Sequence, residues 1–230
     1  MPALNSRVVS SIDGNRLYQN TGGDFDFPSE AADVAQGGWG WGSCFADFNA
    51  DGRLDIYQTN GWDVGVDPAN SPYADDATRL WMANPDGSFE DMATVSDMSD
   101  TEQGRGVICD DFDADGDVDV LLLTLDDQQA AMLWTNQLTG GNTLSVMLEG
   151  LAPNTYGVGA IISATIGNET QTRLVGVNSN FISHNSTWQY FGFGESTMVD
   201  TVRVTWPDGA VSELTQVSTN QALTIQHPNR

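Results

Sequence analysis

Lysine is missing from this chain of 230 residues, and its eight arginines face 32 acidic side chains, which leaves a formal charge of −24. A surface of that sign repels phosphate, so binding to DNA, RNA or an anionic membrane surface is excluded. The same absence removes any Walker-type or Schiff-base lysine. Histidine is scarce as well, with only His184 and His227. His184 lies beside Ser183 and Ser186, but no Gly-x-Ser-x-Gly turn or positioned acid accompanies it, so it reads as a surface or structural residue. His227 is expected to fray with the C-terminus. No enzyme is expected.

Long apolar runs are also lacking. The longest uncharged one, Val120 to Leu125, falls far short of the ~20 residues of a membrane span. The start of the chain has no basic segment followed by an apolar one, so no signal peptide is visible. Cysteine is limited to Cys44 and Cys109, too few for a disulfide scaffold. They either pair once or stay as buried thiols, and buried thiols are the favoured reading.

What is present is aspartate. Of the acids 25 are Asp and 7 are Glu, and Asp is a poor helix former but a good turn and metal-loop residue. With 40% hydrophobic residues the chain can bury a real core. The charge is uneven. Residues 1–138 carry 26 acids and 5 arginines, whereas residues 139–230 carry 6 acids and 3 arginines. The turn-rich Thr139-Gly140-Gly141-Asn142 marks a domain boundary there. A saline habitat would also favour Asp and shed lysine, and lysine is missing from both halves.

The N-terminal part repeats itself. Asn15-Arg16-Leu17-Tyr18 recurs as Thr78-Arg79-Leu80-Trp81 and, more weakly, as Ala131-Met132-Leu133-Trp134. Between these copies lie two acidic loops, Asp47–Asp55 and Asp111–Asp119, offset by 64 residues. A period near sixty, with short apolar runs and Gly/Asp turns, indicates small antiparallel sheets of the propeller or solenoid kind. Each loop runs into a strand. Leu54 to Gln58 alternates apolar and polar, and Val118 to Leu123 is apolar as a buried strand would be. The only helix-compatible stretch is short, around Ser29 to Ala35. In the C-terminal part strands are expected over 143–148, 159–166, 170–177, 188–193, 199–206, 211–214 and 222–226. A Pro207-Asp208-Gly209 turn joins two of them. The fold class is all-β throughout.

Both loops follow Asp-x-Asp/Asn-x-Asp-Gly-x-x-Asp. Oxygen ligands at positions 1, 3 and 5 converge on one hard cation, glycine at 6 permits the turn, and a carbonyl at 7 and a carboxylate at 9 help close the shell. The first set is Asp47, Asn49, Asp51, the carbonyl of Arg53, and Asp55. The second is Asp111, Asp113, Asp115, the carbonyl of Asp117, and Asp119. Position 12 holds Gln58 or Leu122 rather than the bidentate Glu of an EF-hand. Two calcium sites are expected. Calcium suits a many-oxygen cage better than magnesium, and the absence of His and Cys disfavours transition metals. The second loop, with one more ligand carboxylate, should bind more tightly.

Gly38-Trp39-Gly40-Trp41-Gly42, the loop Asp47–Asp55 and the Arg-Leu-aromatic motifs resemble FG-GAP (VCBS-type) repeats, the calcium-binding β-propeller blades. Asn154-Thr155-Tyr156-Gly157-Val158-Gly159-Ala160, Phe191-Gly192-Phe193-Gly194 and Trp206-Pro207-Asp208-Gly209 resemble an ASPIC/UnbV domain, as in the cartilage acidic protein-like family. The resemblance implies secretion or surface display, calcium-stabilised blades and adhesive or matrix contacts, with no catalytic residue. It also implies a C-terminal β-sandwich-like domain.

About two blades are present, and two cannot close a ring, which takes roughly four to eight. Their flanks would be covered by the rest of a longer protein, by the C-terminal domain or, slightly favoured, by neighbouring copies. The apolar Arg7 to Ile12 would serve as an added strand or as a strand of its own first blade. The expected function is a non-enzymatic, extracellular or cell-surface structural or adhesion protein. It would contact a protein partner or further copies of itself, as an oligomer or filament. The alternative is a carbohydrate-binding module or an accessory domain of an extracellular enzyme, with Trp39, Trp41 and Trp62 as a glycan platform, although aromatics in β-repeats are more often core. Asn168-Glu169-Thr170 and Asn185-Ser186-Thr187 are glycosylation acceptor patterns that matter only in a host with the machinery.

Overall fold

The computed structural model describes residues 14–28, 32–62, 73–125, 130–138, 140–177 and 180–230. The added-strand segment Arg7 to Ile12, the first part of the helix-compatible stretch and Thr139 of the boundary turn lie outside them. Among the described residues every regular element is a strand, and no helix is long and apolar enough to cross a membrane.

A short ribbon, β1 (Gln19–Asn20) with β2 (Phe25–Asp26), precedes two antiparallel blades. The first blade is β3 (Gly40–Ala46), β4 (Asp55–Asn60), β5 (Arg79–Ala83) and β6 (Phe89–Asp91), in that order. The second is β7 (Gly104–Asp110), β8 (Asp119–Thr124) and β9 (Ala131–Trp134). Each acidic loop is the turn between the first two strands of its blade. The pairs Ala46–Asp55 and Asp110–Asp119 occupy the same register, so the blades are true structural repeats.

The blades pack face to face. On β3, β4 and β5 the cross-strand row Cys44, Tyr57, Leu80 points at the second blade. The row Cys109, Val120, Trp134 points back at it. Cys44 and Cys109 meet in this core and form a disulfide, with Cα atoms 6.4 Å apart. The favoured reading of two buried thiols is thus corrected: they are buried, and they are bonded. Their separation of 65 residues is one more than the loop offset. A shift of one residue puts a side chain on the other face of a strand, so equivalent strands present the two cysteines to each other.

β4 is buried along its whole length, although its sequence alternates. Ile56 on its other face is covered by Ala32, Val34 and Trp81. Its polar residues are satisfied internally: Gln58 Nε2 donates to the Gly37 carbonyl, and Asn60 Nδ2 to the carbonyls of Gly37 and Ala77. The free face of the second blade is different. There the row Ile108, Leu121, Leu133 lies beside Leu123, and Leu123 and Leu133 are exposed.

The C-terminal domain is a sandwich. One sheet is β13 (Gln189–Gly192), β10 (Thr143–Glu149) and β16 (Gln221–Gln226), with β10 and β16 parallel. The other is β12 (Glu169–Leu174), β11 (Ile161–Ile166), β14 (Met198–Thr205) and β15 (Val211–Ser218). Alternate residues of both sheets, among them Leu144, Val146, Ile162, Val202, Val204 and Phe191, form one core. The turn at Pro207-Asp208-Gly209 joins β14 to β15 as expected, with Gly209 N–H donating to the Trp206 carbonyl. His227 does not fray. The parallel pairing of β16 with β10 runs to Gln226–Glu149 and draws the next residue inward. His227 is 4% exposed, its N–H donates to the Glu149 carbonyl, and its Nε2 lies 3.1 Å from Asp208 Oδ2.

The two domains are stitched by the segment 180–186, which runs along β7 without being a strand. Ser183 Oγ accepts from Val107 N–H and donates to its carbonyl, Asn185 Oδ1 accepts from Cys109 N–H, and Asn180 Nδ2 donates to Val107. Asn180 Oδ1 also accepts from Ser43 N–H on β3. The C-terminal domain therefore covers the inner edge of the second blade.

Candidate metal centre

The two acidic loops have the same backbone. Position 4 is left-handed in both, at Ala50 (φ 56°) and Ala114 (φ 63°), as is the glycine at position 6, Gly52 (φ 92°) and Gly116 (φ 101°). Alanine adopts that region only when its surroundings impose it. What imposes it here is the carboxylate at position 1. Asp47 accepts from the N–H groups of Asp51 and Gly52 at 2.9 and 2.8 Å, and Asp111 accepts from those of Asp115 and Gly116 at 3.2 and 3.1 Å. Position 5 repeats the pattern: Asp51 accepts from Arg53 N–H and Asp115 from Asp117 N–H.

Position 9 is a staple. Asp55 accepts from Phe48 N–H and, across the blade, from Ala83 N–H. Asp119 does the same with Phe112 and Asn136. Both carboxylates are fully buried, at 0% and 1% exposure. Each ties its loop to the end of the neighbouring strand.

In the second loop Asp111, Asp113 and Asp115 each bring an oxygen within 4.8 Å of the others. Asp119 is not in that group. Asp113 and Asp115 are exposed, while Asp117 Oδ1 is buried without a hydrogen-bond partner. Burial, the charge of Asp115, a hydrogen bond with the Asp115 side chain and then the charges of Asp119 and Asp113 push the Asp117 carboxyl up to about 7. Burial also raises Asp111, against the pull of its backbone donors. Among the described residues no basic side chain is paired with this cluster.

Among the described residues the first loop does not bring three carboxylates together as the second does, and it is compensated from within. The Arg53 guanidinium bonds Asp51 and, through Nε, the Ala83 carbonyl at 3.0 Å, and Asn49 Nδ2 donates to Asp51 Oδ2 at 2.9 Å. Sequence reasoning used Arg53 for its carbonyl alone and missed its side chain. Asp47 is nearly buried; desolvation raises its pKa, and Arg173 of the C-terminal domain is one of the groups that oppose this. Burial holds Asp55 up at about 7 despite its two backbone donors. The loop is also wedged against the sandwich, where the Ala50 carbonyl accepts from Gly194 N–H at 2.7 Å. At Gly192 a Cβ would sit 2.2 Å from Asp47 Oδ2 and 2.4 Å from Ala50 Cα.

The other candidate residues fall elsewhere. Trp39, Trp41 and Trp62 form one cluster with Tyr73 and Phe181, at centroid separations of 4.9 to 5.5 Å. Arg105 lies 4.3 Å over the Trp41 ring, and Trp41 Nε1 donates to the Gly61 carbonyl, so this indole is packed rather than presented. Asn168 is exposed in the turn between β11 and β12, whereas Asn185 holds the β7 edge. His184 is exposed.

Residues 150–230 match the family model of ASPIC and UnbV, and residues 8–57 match that of an FG-GAP-like repeat. The first acidic loop lies inside the FG-GAP-like segment, and the second lies outside both. No curated protein matches the chain.

Proposed function

We propose that this chain, which joins an FG-GAP-like repeat to an ASPIC/UnbV domain, is a non-enzymatic calcium-binding structural or adhesion protein of the extracellular space or cell surface. The observation that carries the reading is the duplicated loop, built twice with the same donors and the same left-handed turn. The donor set fits the ion. It is all hard oxygen, and three of its carboxylates already converge. Asp111, Asp113, Asp115, the Asp117 carbonyl and Asp119 would hold one calcium. Asp47, Asn49, Asp51, the Arg53 carbonyl and Asp55 would hold a second, more weakly. The ion supplies positive charge that lets the carboxylates stay together, and so stiffens the strand ends that each loop joins.

The Cys44–Cys109 disulfide suits an oxidising compartment. The exposed leucines on the free face of the second blade suit contact with a protein partner or another copy of the chain. Light-scattering mass on a sizing column and thermal melting, in calcium and after chelation, test the reading. The expected outcome is a higher melting temperature in calcium and a mass above 24.8 kDa that falls on chelation. A melting curve indifferent to calcium would sink the metal reading. A monomer in both buffers would sink self-assembly and leave a separate partner.

A further inference from the structure

The repeats form a series whose members carry two kinds of face. At the joint between the blades, Leu80 of β5 packs with Val120 and Trp134 of the second blade. The same joint is built once more upstream. Leu17 holds the place of Leu80 in its Arg-Leu-aromatic motif. It packs with the cross-strand pair Ile56 and Trp81, which holds the place of the pair Val120 and Trp134. The turns that follow agree as well. Ala32 N–H donates to the Pro28 carbonyl as Ser96 N–H does to that of Met92, and Asp33 (φ 61°) matches Asp97 (φ 59°). The ribbon β1–β2 therefore stands to the first blade as the hairpin β5–β6 stands to the second. It is the outer half of a preceding blade.

Such a series has two ends. At one, Leu133 holds the place of Leu17 and Leu80, yet it is 52% exposed, beside Leu121 on the neighbouring strand. At the other, Tyr18 holds the place of Trp81 and Trp134, yet it is 56% exposed, with Phe25 and Phe27 edge-on to its ring and exposed too. One end presents a leucine face. The other presents the aromatic face on which such leucines are seated at both internal joints. Clustered apolar side chains of this kind on a chain of charge −24 mark contact surfaces. The two ends lie on either side of both blades, so within one copy they cannot meet.

We propose that a second copy of this chain supplies the next joint, with Leu133 and Leu121 of one copy seated on Tyr18, Phe25 and Phe27 of another. This rests on the self-contact in the proposed function and is independent of its calcium. A separate protein would have to imitate one of the two faces, whereas a second copy already carries both. Because the faces differ, the contact is heterologous, and a dimer keeps one open face of each kind. Copies add head to tail until a ring closes or a filament grows. Like charge opposes the contact, so salt should strengthen it, as the screening length falls from ~10 Å at about 0.1 M to ~3 Å at about 1 M.

Sedimentation velocity of the whole protein over a range of concentrations, at low and high salt, with calcium and with chelator, tests this. Wild type should gain mass with concentration and with salt. Leu133→Asp and Tyr18→Asp should each weaken self-association at least roughly tenfold, as loss of a central apolar anchor does. Mixed in equal amounts, the two variants should form dimers and nothing larger, because each keeps the face that the other has lost. Both positions are exposed, so unchanged melting temperatures should separate a lost contact from a lost fold. Should either variant melt low, Leu133→Ser and Tyr18→Ser take their place in the mixture. Association that survives one variant but not the other makes the contact like-on-like and overturns the pairing, as does a mixture that stays monomeric while wild type assembles. Wild type that is monomeric at every concentration and salt overturns the second copy as occupant. None of these outcomes bears on the calcium reading, which stands or falls on the melting shift with calcium.

Discussion

In the first acidic loop position 7 is Arg53, whose guanidinium bonds Asp51 and the Ala83 carbonyl; in the second it is Asp117, whose Oδ1 is buried without a partner. The backbones around these two residues are bonded alike, at positions 1, 5 and 9. The frame of the loop is therefore independent of what neutralises it. One loop carries its own cation and leans on Arg173 and the glycines of the sandwich. The other gathers three carboxylates at the rim of a cleft. The two copies share a scaffold and differ in what surrounds their carboxylates.

The strongest way to break this comparison is to remove the frame common to both loops. Replacing Cys44 and Cys109 together by alanine frees a 65-residue loop. In the chain-entropy account this should cost about 4 kcal/mol in urea unfolding. An unchanged midpoint would mean that packing alone holds the blades.

Exchanging position 7 sharpens the comparison. Asp117→Arg should abolish the calcium-induced rise in stability that comes from the second loop, about 2.7 kcal/mol at a hundredfold excess over Kd. Arg53→Asp should strengthen the calcium response of the first loop. Differential scanning calorimetry of both variants, with calcium and with chelator, reads this directly. Equal responses in wild type and Asp117→Arg would show that the loops are equivalent after all.

Gly192→Ala probes the first loop alone. The new methyl meets Asp47 Oδ2 and the Ala50 backbone, an overpacking worth about 1–3 kcal/mol. Calcium titration of the second loop should be untouched. The remaining effect is on pH. Asp55 and Asp117 hold protons up to about 7 in the fold against 3.8 ordinarily. Over that window the folded state binds more protons than the unfolded one, so the stability of the cation-free protein falls as pH rises through it. Calcium should flatten that slope.

Much of this was legible in the sequence. Alternation placed β10 through β16 within a few residues, because a sandwich strand with one wet face must alternate. Motif spacing placed the two loops, since turn chemistry is local. What sequence could not show depends on faces and neighbours. The disulfide follows from the one-residue difference between 65 and the loop offset, which has meaning only once the blades are known to stack. Arg53 was read for its backbone because only the fold brings Ala83 within reach of its side chain. His227 was assigned to a loose end because the parallel pairing of the last strand with β10 spans almost eighty residues. Leu54 to Gln58 alternates like a half-wet strand, yet the blade is covered on both sides.

The strap at 180–186 has a consequence for how such chains can gather. A bare edge strand offers its amides to any passing strand and is the usual start of fibrillar growth. On β7 the amides of Val107 and Cys109 are already held by a serine and an asparagine side chain. Side chains that imitate a strand without forming one end the ladder there, because they present no second row of amides beyond. Stacking through β7 in the cross-β direction is thereby shut off, and copies that associate near it must do so broadside, through side-chain surfaces that sequence change can tune.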